Sequence, residues 1–139
     1  MSIVFVDTDV FLDFFLGREP FATHAAHLFD VAAQGCIKVY TTGVIFSNLY
    51  YILHDLNKRA RVREMLHDLR GFVLIQSVDV AVIDQALASP MKDFEDAIQY
   101  YAALAASADF IVTRNKRDYA HSLISIVTAE EWLGFYSSH

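Results

Sequence analysis

Two hydrophobic rhythms alternate along this chain. Short unbroken apolar runs such as Ile3-Val4-Phe5-Val6 fit strands buried on both faces of a parallel sheet. Ile37 to Thr42, Phe72-Val73-Leu74-Ile75 and Phe110 to Thr113 have the same character, and Ile124 to Val127 adds a shorter candidate. Between these runs the apolar positions recur at helical spacing. Thr8 or Asp9 can cap a short helix through Leu16, stopped near Gly17 and Pro20, and Phe21 to Ala33 predicts a second helix ended by Gly35. Thr42-Gly43 turns into a third, where Phe46, Leu49, Tyr50, Leu53 and Leu56 form a core-facing stripe and Ser47, Asn48, Tyr51 and Asp55 share a neighbouring face. Arg61 to Arg70 and Asp79 to Ala88 are helical, Ser89-Pro90 breaks the pattern, and a very apolar helix starts at Asp93. Strands alternating with helices predict an α/β fold around a central parallel sheet of four or five strands. No linker, repeat or low-complexity tract interrupts residues 1–139, so a single domain is expected.

In open parallel sheets, ligands bind beyond the carboxyl ends of the strands. Asp7 closes the first strand, with Thr8 and Asp9 following. Thr113, Arg114 and Asn115 close the fourth, followed by Lys116 and Asp118. Asp93, Glu95 and Asp96 open the helix that leads into that fourth strand. For Asp93 and Glu95 capping is explanation enough, since acids in a first turn gain about 0.3–1 kcal/mol from the helix dipole. Asp96 is different. Ala97, Ile98, Tyr100, Tyr101 and the alanines beyond leave its helix little solvated face, so its carboxylate points into a partly closed place where an unpaired charge is costly. Asp7 alone could be a turn or cap residue. Two acids at one sheet edge, however, repel and raise each other's pKa unless a cation neutralises them. Oxygen ligands without a Cys or His partner suit Mg²⁺ or Mn²⁺. His24 and His27 lie on one helix with no third ligand in sight, and His139 is uninformative. Phosphate-binding loops, dinucleotide fingerprints and nucleophile elbows are absent from the sequence.

Composition narrows the partners. Hydrophobic residues make up 55% of the chain, ample for a packed core, and the formal charge is −6. An acidic protein can hold nucleic acid only through a local basic patch or bound cations. Lys58, Arg59, Arg61 and Arg63 form one such cluster, read as a solvated helix face. Arg114, Lys116 and Arg117 form another, nearer the acids and favoured for phosphate contact. Phe11, Phe14 and Phe15 belong to core packing or a dimer surface before they are base-stacking platforms. The single cysteine, Cys36, suits a reducing compartment, and no stretch resembles a secretory or membrane-spanning segment, so a cytoplasmic protein without membrane contact is expected.

Four segments in this order, "IVFVDTDVFLDFF", the helix after "TT", "DFEDAIQYYAA" and "ADFIVTRNKRDY", resemble PIN domains, and among them the ribonuclease toxins of bacterial toxin–antitoxin pairs, the virulence-associated protein C type. The resemblance covers about Ile3 to Trp132. It implies a three-layer α/β/α fold and an acidic pocket binding Mg²⁺ or Mn²⁺ that hydrolyses RNA phosphodiesters. It also implies a homodimer and a small antitoxin whose C-terminal segment occupies the pocket. By position the family's first acid falls on Asp7, with Thr8 and Asp9 in the adjoining slots, and its late-helix acid on Asp96. The second acid, usually glutamate, falls on Asn48, and the last on Asn115, with Asp118 close by. Asp7 and Asp96 are thus the expected metal ligands. Asn48, Asn115 and Asp118 complete the catalytic set, and Thr8, Asp9, Asp93, Thr113, Arg114 and Lys116 surround it. Because two of the four acid positions carry amides, one alternative is a weakly active or inactive PIN-like module that binds RNA or protein. A haloacid-dehalogenase-like phosphohydrolase is a further alternative, since "VFVDTDV" ends a strand in Asp-x-Asp. Phe11 departs from the Thr or Val that family carries at that position, and no later lysine and paired-acid motif follows.

Overall fold

The computed structural model describes residues 1–138; His139 lies outside them. Five parallel strands form one sheet in the order β3-β2-β1-β4-β5. They are β1 (Ile3–Val6), β2 (Lys38–Thr42), β3 (Val73–Gln76), β4 (Phe110–Val112) and β5 (Ser125–Val127). Seven α-helices flank it in a three-layer arrangement: α1 (Thr8–Leu16), α2 (Phe21–Ala33), α3 (Gly43–Leu56), α4 (Val62–Leu69), α5 (Val80–Ala88), α6 (Phe94–Ala105) and α7 (Ala129–Ser137). A short 3₁₀ turn, Lys116–Tyr119, follows β4.

The unbroken apolar run of the first strand has its explanation in sheet position. β1 is central, pairing with β2 on one side (Val4 opposite Val39) and β4 on the other (Val4 opposite Phe110), and Val4, Phe5 and Val6 are fully buried. With both faces covered there is no solvent side on which to place a polar residue. β3 is an edge strand, and its Leu74 and Ile75 are exposed. Behind the sheet, α6 packs on β2, β3 and α5 through buried Ala97, Ile98, Ala102 and Ala103, the small alanines permitting close approach. On another flank α1 packs on α2, and α2 on α7. Phe11 stacks on Phe29 at 5.3 Å and Phe14 meets Phe29 edge-on at 5.1 Å, so these rings are core and offer no platform to a base.

Three local expectations need correction. The cap of α1 is Asp7, not Thr8 or Asp9: its backbone is extended and its own carboxylate accepts the Thr8 N–H. On α3 the stripe is shifted toward Ile45, Leu49 and Leu53, while Leu56, at the last turn, is largely exposed because the chain there turns away toward α4. Strand ends also move by a residue, as hydrogen bonding rather than hydrophobicity sets them. Gly17, with φ +66°, ends α1 in the left-handed conformation that glycine adopts without penalty. Among the described residues no helix is long and apolar enough to cross a membrane.

Candidate active site

The chain leaves β1 and β4 in opposite directions, toward β2 and β5 respectively. Diverging connections of this kind open a crevice at the carboxyl ends of the two strands. Asp7 and Thr113 stand just past those ends, and the ladder reaches them: the Asp7 N–H donates to the Val112 carbonyl at 3.1 Å.

The inner wall is a buried hydrogen-bond network. Asp7, 8% exposed, accepts the Thr8 N–H at 2.8 Å on Oδ1, and the Thr113 and Tyr119 hydroxyls at 3.1 and 3.2 Å on Oδ2. Burial nevertheless pushes its pKa up; the three donors oppose this, and the charge of Asp118 adds to it. Asp9 accepts the Arg114 N–H at 2.8 Å, and burial, followed by the charge of Asp7, pushes its pKa up to about 6. The Thr113 oxygen also lies 3.4–3.5 Å from Asp9 and accepts the Asn115 N–H at 3.1 Å. A hydroxyl has one proton to donate, and the shorter distance assigns it to Asp7. The Tyr119 hydroxyl is held firmly protonated, by burial first and then by Asp7 and Asp96.

Arg114 occupies an unexpected place. Its Nε and Nη2 fork onto both oxygens of buried Asp13 at 2.7 and 2.8 Å, and its guanidinium lies 4.1 Å from the Phe21 ring centroid. A guanidinium so committed braces the turn after β4 against α1, and the phosphate contact expected of it is not what these contacts provide. Lys116 is likewise occupied, bonding both oxygens of Glu131 at 2.9 and 3.2 Å.

The outer rim is built on α6 and α3. Asp93 caps α6, accepting the Asp96 N–H at 2.9 Å. Asp96 is half-buried, and among the described residues nothing donates a hydrogen bond to its carboxylate. Burial first, then the charges of Asp93, Asp7, Asp118 and Glu95, push its pKa up to about 7. The Asn48 amide donates to Glu95, an acid that sequence reasoning had left as a helix-end charge. Deeper, Thr42 caps α3 and donates at 2.8 Å to Gln99, one turn along α6 from Asp96. Gln99 is fully buried, with its Nε2 unpartnered among the described residues. Two polar links therefore fix the start of α3 against α6. Asn115 and Asp118 are exposed on the turn after β4, the Asn115 carbonyl accepting the Asp118 N–H at 3.1 Å.

Would a hard cation fit these residues? Among the described residues no three His, Cys, Asp or Glu side chains are gathered into a ready cage. Mg²⁺-type ions do not demand one: they usually take one or two carboxylates, keep several waters and complete their shell with substrate phosphate. A donorless carboxylate surrounded by four others lacks only positive charge, and a divalent cation would supply it. The donor set fits.

A parallel α/β sheet with acids at its switch point defines a class of proteins that bind ligands beyond the carboxyl ends of their strands. The family model of the PIN domain matches residues 3–117, and this chain belongs to the PIN domain family. It is 24% identical over 137 residues to the ribonuclease VapC1 of Aquifex aeolicus (strain VF5), covering 93% of this chain and 92% of that protein. The crystal structure of VapBC2 from Rickettsia felis bound to a DNA fragment from their promoter contains a chain of the same fold. Its TM-score is 0.68 at 11% identity, over 90% of this chain and 97% of that one.

Proposed function

We propose that this protein is a divalent-metal-dependent endoribonuclease, the toxin of a toxin–antitoxin pair, with residues 1–139 forming a single PIN domain that works in the cytoplasm. The observation carrying this reading is Asp96, a half-buried acid with no donor among the described residues, whose pKa is driven to about 7 by burial and by the charges of Asp93, Asp7, Asp118 and Glu95. Asp7 and Asp96 would hold Mg²⁺ or Mn²⁺, and Asp118, whose charge acts on both, would contribute to the attraction. When bound, the ion supplies Lewis acidity and a lowered water pKa. Thr8, Thr113 and Tyr119 hold Asp7 in place, so that its oxygens need no rearrangement when charge develops. Asn48, whose amide donates to Glu95, and Asn115 would orient water or phosphate, and Asp93 fixes the turn carrying Asp96. In the reaction a water oxygen bonds to phosphorus, one P–O ester bond breaks, and the departing sugar oxygen takes up a proton.

The RNA substrate follows from the likeness to the ribonuclease VapC1, and a small antitoxin partner from the likeness to VapBC2. The homodimer follows from the family resemblance. A PIN module that binds without cutting is the second reading, favoured by the amides at Asn48 and Asn115. The phosphohydrolase reading is set aside, because the chain belongs to another family and the Asp9 carboxylate is already engaged by the Arg114 N–H. Calorimetric Mg²⁺ titration paired with cleavage of structured RNA decides the matter. Metal-dependent cleavage lost in Asp7→Asn and in Asp96→Asn is expected, and cleavage surviving both substitutions overturns the mechanism.

A further inference from the structure

The two basic clusters differ in what the fold has done with them. At the turn after β4, Arg114 is forked onto Asp13 and Lys116 onto Glu131, so two of its three cations are neutralised. Residues 58–63, the α3–α4 connection and the first turn of α4, hold four of the chain's eleven Lys and Arg. Among the described residues, only Arg61 of these has a carboxylate partner, Glu64 at 3.4 Å, with side-chain exposures of 81% and 67%. An exposed pair of this kind holds its charges weakly.

Beside these cations lies a cavity of about 260 Å³ lined by Tyr50, His54, Arg61, Val62, Arg63 and Glu64. Tyr50 and His54 stack at 5.7 Å with 15° between their planes, Arg63 lies 5.9 Å from the Tyr50 centroid, and Tyr51, 62% exposed, meets Tyr50 edge-on. Unpaired cations with aromatic faces are what a single-stranded nucleic acid engages, the cations meeting phosphates and the rings meeting bases. The corner is also continuous with the site. Asn48, Tyr51 and Asp55 follow one another along the same side of α3, and at 1.5 Å per residue the end of α3 lies about 12 Å from Asn48.

We propose that the α3–α4 corner is a second contact for single-stranded RNA, in which Lys58, Arg59 and Arg63 meet backbone phosphates and Tyr51 stacks a base of the strand that enters the carboxylate site. Its direction rests on the nuclease reading above; its existence does not. Three acids border the corner and are outnumbered by its four cations: Asp55 shares the α3 face with Tyr51 and lies 3.8 Å from His54, Glu64 is shared with Arg61, and Asp68 borders the neighbouring groove with His67. RNA suits the corner better than an acidic peptide, because a peptide carboxylate has no use for an exposed tyrosine on the row leading to Asn48.

The test needs no cleavage. Anisotropy of a labelled single-stranded RNA is measured against the whole protein in EDTA at several salt concentrations. Lys58→Ala/Arg59→Ala/Arg63→Ala is expected to weaken binding at least tenfold. It should also flatten the log affinity against log salt slope by about two, given roughly 0.7 per phosphate contact on single strands. Tyr51→Ala is expected to cost about tenfold with the slope unchanged. Lys38→Ala, a control on the exposed start of β2, should do neither. All these residues except Arg63's ring contact are surface groups, and equal melting temperatures confirm folding. Affinity and slope unchanged in the triple variant, or changed as much by Lys38→Ala, overturn the proposal. So does an acidic peptide whose binding the triple variant abolishes while RNA binding stays intact. If wild-type protein cuts no RNA at all, the nuclease reading fails while this measurement still decides.

Discussion

Asp96 feels the charge of Asp7, yet the fold treats the two acids in opposite ways. Asp7 is buried and pinned by three donors from three segments; Asp96 is half-buried and accepts none. Both pKa values rise, for reasons that differ in weight. At Asp7 burial outweighs the donors, whereas at Asp96 no donor opposes burial and four neighbouring carboxylates reinforce it. The inner wall is finished by the protein itself, and the rim is left for a ligand to finish. Substitutions should therefore separate the two. Cleavage is expected to fall at least about a hundredfold in Asp7→Asn and in Asp96→Asn alike, since each removes a proposed ligand. Melting of the metal-free protein should diverge. Asp96→Asn removes unrelieved repulsion and raises Tm, and Asp7→Asn changes it less, because the gain from removing a buried charge is offset by the disturbed Thr113 and Tyr119 bonds. Equal Tm shifts would erase the contrast.

The same difference sets a pH dependence. A carboxyl whose folded pKa is raised to about 7 binds its proton more tightly folded than unfolded, where it titrates near 3.8. Between these values the folded chain carries more protons, so stability falls as pH rises through the window. Asp9, raised to about 6, acts in the same direction over the lower part. Metal-free protein is expected to melt at lower temperature at pH 8 than at pH 5. Mn²⁺ should restore more at pH 8, where the carboxylates are ionised, and Asp96→Asn should flatten the trend. A Tm rising with pH would contradict the repulsion inferred at the rim.

Much of this was legible in the sequence. Apolar strands ending abruptly in Asp7 and Thr113 locate the sheet edge, and an acid in an all-round apolar helix singles out Asp96. The partners that finish the inner wall were not. Tyr119 is the one aromatic in the charged run "NKRDY", a signal that its ring is buried while its neighbours are solvated. Asp13 sits in "FLDFF", the same pattern of a lone acid among apolar residues that flags Asp96, and the same reasoning extended to α1 would have found it. What sequence cannot supply is the pairing itself: Asp13 and Arg114 lie 101 residues apart, and only the fold brings α1 against the turn after β4.

That pair allows a smaller test of the inner wall. Arg114→Ala leaves Asp13, 1% exposed, with only Arg18 at 3.6 Å. Stripping one partner from a buried ion pair typically costs 3–5 kcal/mol, and the remaining arginine brings the expectation to about 2–3 kcal/mol, read by denaturant melts. Arg114→Lys keeps the charge but not the two-pronged geometry and should fall between. An Arg114→Ala protein as stable as wild type would show that the fork is incidental and that the turn after β4 is held otherwise.

The smallest effect belongs to the rim. Asn48 holds Glu95 through its amide, so the pair carries one negative charge where two acids would carry two. Asn48→Glu places a carboxylate against Glu95, close to Asp96. Without metal this adds repulsion and should lower Tm modestly; with Mg²⁺ it adds a ligand or a nearby charge and should tighten binding several-fold by calorimetry. Glu95→Gln should do the reverse on both measures, since it removes one of the charges that raise the Asp96 pKa. Mg²⁺ affinity unmoved by either substitution would place Asn48 and Glu95 outside the reach of the ion and leave Asp96 as the only rim residue in the site.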